Sequence, residues 1–193
     1  VVSVELTGKE TVAGDVFISA LPFDVLPSLL PSSASSQLSA YVGHGLTSSP
    51  IVGIHIWYDR PVMDDDFVAF LDSPVQWVFN KTRIQGRDGS LGQYLCISLS
   101  GAWQYVDKSK EELRELFGRE MEALFPRAKG ATIERFLVVK QPGATFRCLP
   151  GTSGLRPPQR TPLGNLFLAG EWTDPGWPST MESAVRSGVL AAQ

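Results

Sequence analysis

The apolar positions of the chain begin with a period of two. Val2, Val4 and Leu6 alternate with polar residues up to Thr7, Gly8 and Lys9, and Val12 resumes beyond them, the pattern of a β-hairpin. Asp15 to Leu21 is a short apolar run fit for a buried strand. It closes at Pro22, which suits the first turn of a helix carrying Phe23, Val25 and Leu26, kept short by Pro27 and Pro31. Residues 32–50 are rich in Ser and Gly, with Leu38, Tyr41 and Val42 spaced to line one helical face.

The centre of the chain is richer in strands. Ile51 to Tyr58 is β-branched and aromatic, with Ile54, Ile56 and Tyr58 on one face and Gly53, His55 and Trp57 on the other. Val75, Trp77 and Phe79 alternate next, and beyond a polar loop Leu95, Ile97 and Leu99 share a face. Three strands in succession without long helices between them predict an antiparallel sheet. Ser109 and Glu112 form a capping box ahead of Leu113, Leu116, Phe117, Met121 and Leu124, which keep the helical period until Pro126 stops it. Ile133 to Val139 returns to strand. Residues 141–162 are rich in Gly and Pro, long enough to be a functional segment rather than a connection.

Near the end, Leu166 to Ala169 is a continuous apolar run between Asn165 and Gly170, suited to a strand buried on both faces of a parallel sheet. Glu171 follows at its carboxyl end, where open α/β sheets place their ligands. Ser179 and Glu182 read as a second capping box, opening a helix whose free N–H groups at Thr180 to Glu182 point back at that crevice. Ala184, Gly188 and Ala192 recur every fourth residue on its expected buried side. A carboxylate beside a helix N-terminus is a setting for a polar cofactor. The fold class is α/β, with a discontinuous domain built from residues 1–21 and 163–193. An α+β segment of mixed or antiparallel sheet plus helix, residues 22–162, is inserted into it.

Composition narrows the partners more than the fold. A hydrophobic fraction of 43% and a charged fraction of 19% describe an ordinary globular protein, and a net charge of −3 gives no reason to expect nucleic acid. Cys96 and Cys148 are too few for a disulfide framework and lack metal-ligand spacing, so a reduced, cytoplasmic setting is the default. No apolar run approaches the roughly 20 residues that span a bilayer. His44 and His55 accompany no carboxylate or nucleophile in a recognisable pattern, and no catalytic residue is assigned. Asp64, Asp65 and Asp66 are expected as an exposed loop or helix start rather than a metal site, and Lys81, Arg83 and Arg87 as a solvated basic loop. The chain begins at Val1, without an initiator Met or signal peptide, and is expected to be a piece of a longer one.

The stretch LFLAGEWTDPGWPSTMESAVRSG, residues 166–188, resembles the C-terminal flavin-binding motif of the FAD-dependent amine oxidase and phytoene desaturase superfamily. DVFISALPFDVLPSLLP is similar to the strand and turn leading from the FAD domain into the substrate domain. SPIVGIHIWYDRPV, FLDSPVQWVFNK and VVKQPGATFRCLPG resemble the phytoene desaturase branch, most of all squalene-associated desaturases that act as hydroxysqualene dehydroxylases. The resemblance implies FAD as cofactor. It implies that Glu171 bonds the ribityl chain, that the Met181 N–H meets the flavin pyrimidine oxygen, and that Trp172 and the helix start at Thr180 belong to the cofactor site. It makes Trp57, Phe146 and Trp177 candidates for the substrate pocket. A long isoprenoid is the implied substrate, met at the cytoplasmic side or peripherally at the inner membrane.

One departure qualifies that expectation. The family begins with a G-x-G-x-x-G strand–turn–helix that holds the FAD pyrophosphate, and no such pattern occurs here; Gly151 and Gly154 have the wrong spacing. The missing N-terminal FAD-binding segment is then an implied partner, and the chain alone is expected to bind FAD weakly or not at all. Two other functions stay open: an amine or protoporphyrinogen oxidase of the same superfamily, and an interaction module that keeps the fold without the cofactor. Lys140 is the lysine to watch for the amine reading, as the one in a strand expected to be buried.

Overall fold

A computed structural model describes residues 1–39, 41–42 and 45–193, and His44 lies outside the described residues. The opening alternation folds as a hairpin: β1 (Ser3–Glu5) pairs antiparallel with β2 (Thr11–Ala13), Val4 opposite Val12. Lys9, not Gly8, takes the left-handed position of the turn at φ 63°. β3 (Phe17–Ser19) is shorter and more open than expected, with Val16 and Ile18 exposed, because a single strand flanks it. The helix expected from Pro22 starts later: α1 (Leu26–Leu29) has Pro27 inside its first turn, where no N–H is needed, while Phe23 and Leu26 are buried and Val25 is not. α2 (Ser32–Leu38) follows Pro31 and buries Leu38.

The central strands form one five-stranded sheet in the order β5-β6-β7-β4-β8. β4 (Ser48–Tyr58) pairs antiparallel with β7 (Gln93–Ser100), Ile54 opposite Ile97 and Trp57 opposite Tyr94. Inward residues Ile54, Ile56, Leu95, Ile97 and Leu99 are fully buried, as the alternation predicts. β5 (Phe67–Ala69) was not foreseen; it pairs with β6 (Trp77–Asn80) and follows the acidic residues 64–66. Those residues form surface ion pairs instead of a metal site, Asp64 with Arg127 at 2.7 Å and Asp66 with Arg83 at 2.6 Å. α3 (Lys81–Ile84) is a single turn capped by the Asn80 side chain.

α4 (Lys110–Leu124) starts at the expected capping box: Ser109 Oγ accepts from the Glu112 N–H at 3.1 Å, and Glu112 Oε2 accepts from the Ser109 N–H at 2.7 Å. Leu113, Phe117 and Met121, spaced by four, enter the same apolar cluster as the sheet's inward residues. Each such side chain stabilises by about 1.5–3 kcal/mol on burial. β8 (Ile133–Phe146) runs farther than Val139, into the Gly- and Pro-rich segment.

β9 (Leu166–Leu168) pairs parallel with β3, Phe17 opposite Leu166 and Ser19 opposite Leu168, and α5 (Met181–Ala191) closes the chain. The chain divides into two units, Val1–Thr47 with Phe146–Gln193, and Ser48–Thr145. The boundaries expected at residues 22 and 162 therefore move inward. Phe23, Leu26, Leu38, Val42, Leu46 and Phe146 share a buried cluster with Leu166, Leu168 and Trp172, and apolar packing draws those flanking residues into the first unit.

Candidate cofactor site

The site is built where β9 turns into α5. The Ala169 N–H donates to the Ser19 carbonyl at 2.8 Å, and the chain leaves the parallel pair at Gly170. Gly170 holds φ 138°, and a Cβ there would stand 2.8 Å from Nε1 of Trp172. Glycine thus lets Trp172 fold beneath the loop, where its indole N–H donates to the Leu21 carbonyl at 3.0 Å and its ring meets Phe23 edge-on at 6.4 Å. Trp172 is buried in this way and its ring belongs to the first unit's apolar cluster.

The helix start also differs by one residue from the sequence reading. Thr180 is the cap of α5: its Oγ1 accepts from the Ser183 N–H at 3.3 Å and donates to the Pro178 carbonyl at 3.1 Å. Glu182, expected to complete a box with Ser179, bonds Arg186 at 2.8 Å instead. The buried stripe is Ser183, Ser187 and Ala191 rather than Ala184, Gly188 and Ala192. Ser187 Oγ accepts from the Gly170 N–H at 2.8 Å and donates to the Ala184 carbonyl at 2.7 Å, which fastens loop to helix. Met181, at the first helical position, is 90% exposed and is not packing. Glu171 is half-buried, and its carboxylate has no hydrogen bond or ion pair among the described residues.

Residues 156–160 run alongside this loop, a role that sequence reasoning missed. The Leu168 N–H donates to the Gln159 carbonyl and the Asp174 N–H to the Pro157 carbonyl, both at 2.8 Å, while Gln159 Nε2 donates to Thr173 Oγ1 at 3.1 Å. Arg156 reaches furthest, donating from Nη1 to the Trp177 carbonyl at 2.7 Å and from Nη2 to the Glu171 carbonyl at 2.9 Å and Ser183 Oγ at 3.0 Å. No periodicity marks an arginine in a Pro-rich loop, and it lies more than twenty residues ahead of the helix start it reaches.

The substrate-pocket candidates fall in different units, Phe146 and Trp177 in the first and Trp57 in the second. Phe146 is buried in the first unit's apolar cluster. Trp177 is 42% exposed, with the Arg186 guanidinium 4.1 Å from its ring centroid. Trp57 belongs to the second unit, stacked on Tyr94 at 4.3 Å with Arg135 4.8 Å from its ring. It borders a cleft of about 350 Å³ lined also by Thr82, Arg87, Gly92, Tyr94 and Glu134. His55 Nδ1 and the Tyr94 hydroxyl lie 2.7 Å apart; burial, then Lys81, lowers the His55 pKa, and burial raises that of Tyr94. Lys140 Nζ is occupied by the Lys108 carbonyl.

With this geometry in view, a family profile described as flavin containing amine oxidoreductase matches residues 1–193. The chain belongs to the flavin-containing amine oxidoreductase family. Among relatives in this family, a 15-cis-phytoene desaturase of Synechococcus elongatus is 31% identical over 194 residues, covering 96% of this chain and 40% of that protein. A hydroxysqualene dehydroxylase of Sinorhizobium fredii is 30% identical over 181 residues, covering 93% of this chain and 40% of its own length. The fold is also that of cyclohexylamine oxidase from Brevibacterium oxydans, with a TM-score of 0.66 at 17% identity, covering 97% of this chain and 44% of the other. The chain spans about 40% of the curated relatives named here.

Polar atoms around the β9–α5 turn suit a flavin, which the family implies. Ser19 Oγ, Arg156 Nε and Ser179 Oγ are buried without a hydrogen-bond partner. All belong to the strand end, the strap or the helix start just described. Buried polar atoms left unpaired are costly; Tyr58 Oη of the second unit is the fourth among the described residues, and the three here are atoms that a polar ligand could satisfy. Among the described residues no cluster of His, Cys, Asp or Glu fit to hold a metal is present.

Proposed function

We propose that the chain is part of a flavin-dependent oxidoreductase acting on a long hydrophobic isoprenoid, with FAD at the β9–α5 turn. The observation that carries it is the half-buried, unpartnered Glu171 carboxylate beside the start of α5. Bound FAD would supply a two-electron acceptor or donor for redox chemistry at carbon. In this proposal Glu171 accepts a hydrogen bond from a ribityl hydroxyl, and the Met181 N–H donates to the pyrimidine oxygen. Thr180 holds the first helical turn so that its free N–H groups and dipole favour negative charge there. Such chemistry asks for position and exclusion of water more than for acid–base side chains.

The isoprenoid part is supported by the phytoene desaturase and hydroxysqualene dehydroxylase relatives, and Trp57 and Trp177 remain its proposed contacts. Open apolar side chains on the first unit, Val16, Ile18 and Val185 among them, are proposed to be covered by the segment that carries the G-x-G-x-x-G turn. A lipid substrate is then taken up peripherally at a membrane surface. Among the described residues no helix is long and apolar enough to cross one.

The test is turnover by the full-length protein offered hydroxysqualene, phytoene and a polyamine. Isoprenoid turnover with FAD bound is the expected result, and turnover of the amine alone overturns the proposal. Flavin fluorescence with residues 1–193 alone should show weak quenching; tight stoichiometric binding would move the pyrophosphate contacts into this chain.

A further inference from the structure

Arg156 stands out because its charge is placed without a counter-charge. Its guanidinium bonds two backbone carbonyls, of Glu171 and Trp177, and one hydroxyl, of Ser183, and it forms no ion pair among the described residues. Those acceptors sit at both ends of the turn and on the first turn of α5. One planar fork therefore ties the position of Glu171 to the helix start. Nε is buried and unpartnered, so the side chain's donor capacity exceeds what the protein takes up. The acceptors are neutral, and the positive charge stays in the site together with the positive end of the α5 dipole.

We infer that Arg156 is a positioning residue of the flavin site: it sets the Glu171-to-α5 spacing and supplies the fixed positive charge that favours the reduced flavin. The inference rests on the placement of FAD proposed above. A fixed cation near a group that gains negative charge on reduction raises its midpoint potential, whereas a purely structural clamp leaves the potential of correctly bound flavin unchanged.

The experiment uses the full-length flavoprotein and measures FAD midpoint potential and FAD occupancy in wild type, Arg156→Gln and Arg156→Lys. Arg156→Gln should shift the oxidised-to-reduced ratio at least tenfold toward oxidised, about 30 mV for a two-electron couple. Arg156→Lys, which keeps the charge and loses the fork, should recover most of that shift. Equal potentials in wild type and Arg156→Gln at full occupancy overturn the inference. If Arg156→Gln fails to retain FAD, FAD affinity and melting temperature are compared across the variants. Loss of FAD by Arg156→Gln at wild-type melting temperature, with Arg156→Lys retaining it, supports the inference; equal loss of fold in both variants overturns it. Wild type that carries no FAD defeats the placement of FAD itself, an outcome separate from failure of the Arg156 arm alone.

Discussion

The second unit is held mainly by area, whereas the first joins a smaller apolar cluster to a set of directional hydrogen bonds. In residues 48–145 a continuous cluster joins Val52, Ile54, Ile56, Leu95, Ile97 and Leu99 to Leu113, Phe117 and Met121, most of them fully buried. The first unit has two sheets of paired three-residue strands and exposes Val2, Val16, Ile18, Leu29 and Val185. Its order around the β9–α5 turn comes from Ser187 on Gly170, Gln159 on Thr173, and Arg156 on Glu171 and Trp177. Apolar burial is non-directional and tolerant of small shifts, whereas hydrogen bonds are angular and fix positions. Around the β9–α5 turn the position of Glu171 against the helix start is thus set largely by directional contacts, while the larger apolar cluster lies in the second unit.

That contrast breaks first at Phe117. Its ring is fully buried and meets Tyr105 edge-on at 5.4 Å, so Phe117→Ala leaves a cavity and should cost about 3–5 kcal/mol. Denaturant unfolding checks the magnitude, and hydrogen exchange should show the loss of protection centred on β4 and β7. An exposed apolar residue of the first unit makes the control: Leu29→Ala, at 64% exposure, should change stability by less than about 0.5 kcal/mol. A loss under about 1 kcal/mol at Phe117 would mean that the second unit does not depend on its apolar cluster.

Gly170 tests the other half. Alanine there must hold φ 138° and bring its Cβ against the indole of Trp172. The strain is on the order of 1–3 kcal/mol, smaller than the Phe117 cavity but placed at the turn itself. Gly170→Ala should shift tryptophan emission as Trp172 loses its seat under the loop, and should weaken FAD retention in the full-length protein more than it lowers melting temperature. Unchanged emission and retention would show that the turn tolerates displacement.

These two positions also show what was legible in the sequence. Strand alternation in Ile54, Ile56 and Tyr58 and the helical period of Leu113, Phe117 and Met121 come from side chains whose burial is apolar, and hydropathy reports that directly. The buried face of α5 was misread by one residue because Ser183 and Ser187 are polar and buried; they are inside to bond Arg156 and Gly170. β5 escaped because three residues are too few to show a period, and the strap at 156–160 because it is held by backbone groups and by Arg156, which carry no pattern. The carboxylate at the strand end and the approximate helix start were legible as a motif. The cap residue, the buried tryptophan and the arginine clamp required the fold.

The smallest effect concerns the one strongly shifted carboxylate of the area-stabilised unit. Asp59 sits at the end of β4, where its carboxylate accepts from Arg60 Nε at 3.0 Å and Nη2 at 2.7 Å and from the Thr132 N–H at 3.0 Å. The Arg60 hydrogen bond, chiefly, with the Thr132 N–H assisting, lowers its pKa to about 2. An unfolded Asp titrates near 4, so the folded state binds its proton less readily. The contribution is therefore complete above about pH 4 and is lost as the pH falls through about 2. Asp59→Asn should flatten the stability profile in that window while changing neutral-pH stability little, since exposed ion pairs contribute little. Matched melting curves from pH 2 to pH 7 check it. If wild type and Asp59→Asn keep the same acid slope, the loss at low pH belongs to other carboxylates; if the slope flattens, a directional contact also fastens the end of β4 to Thr132 in the unit otherwise held by area.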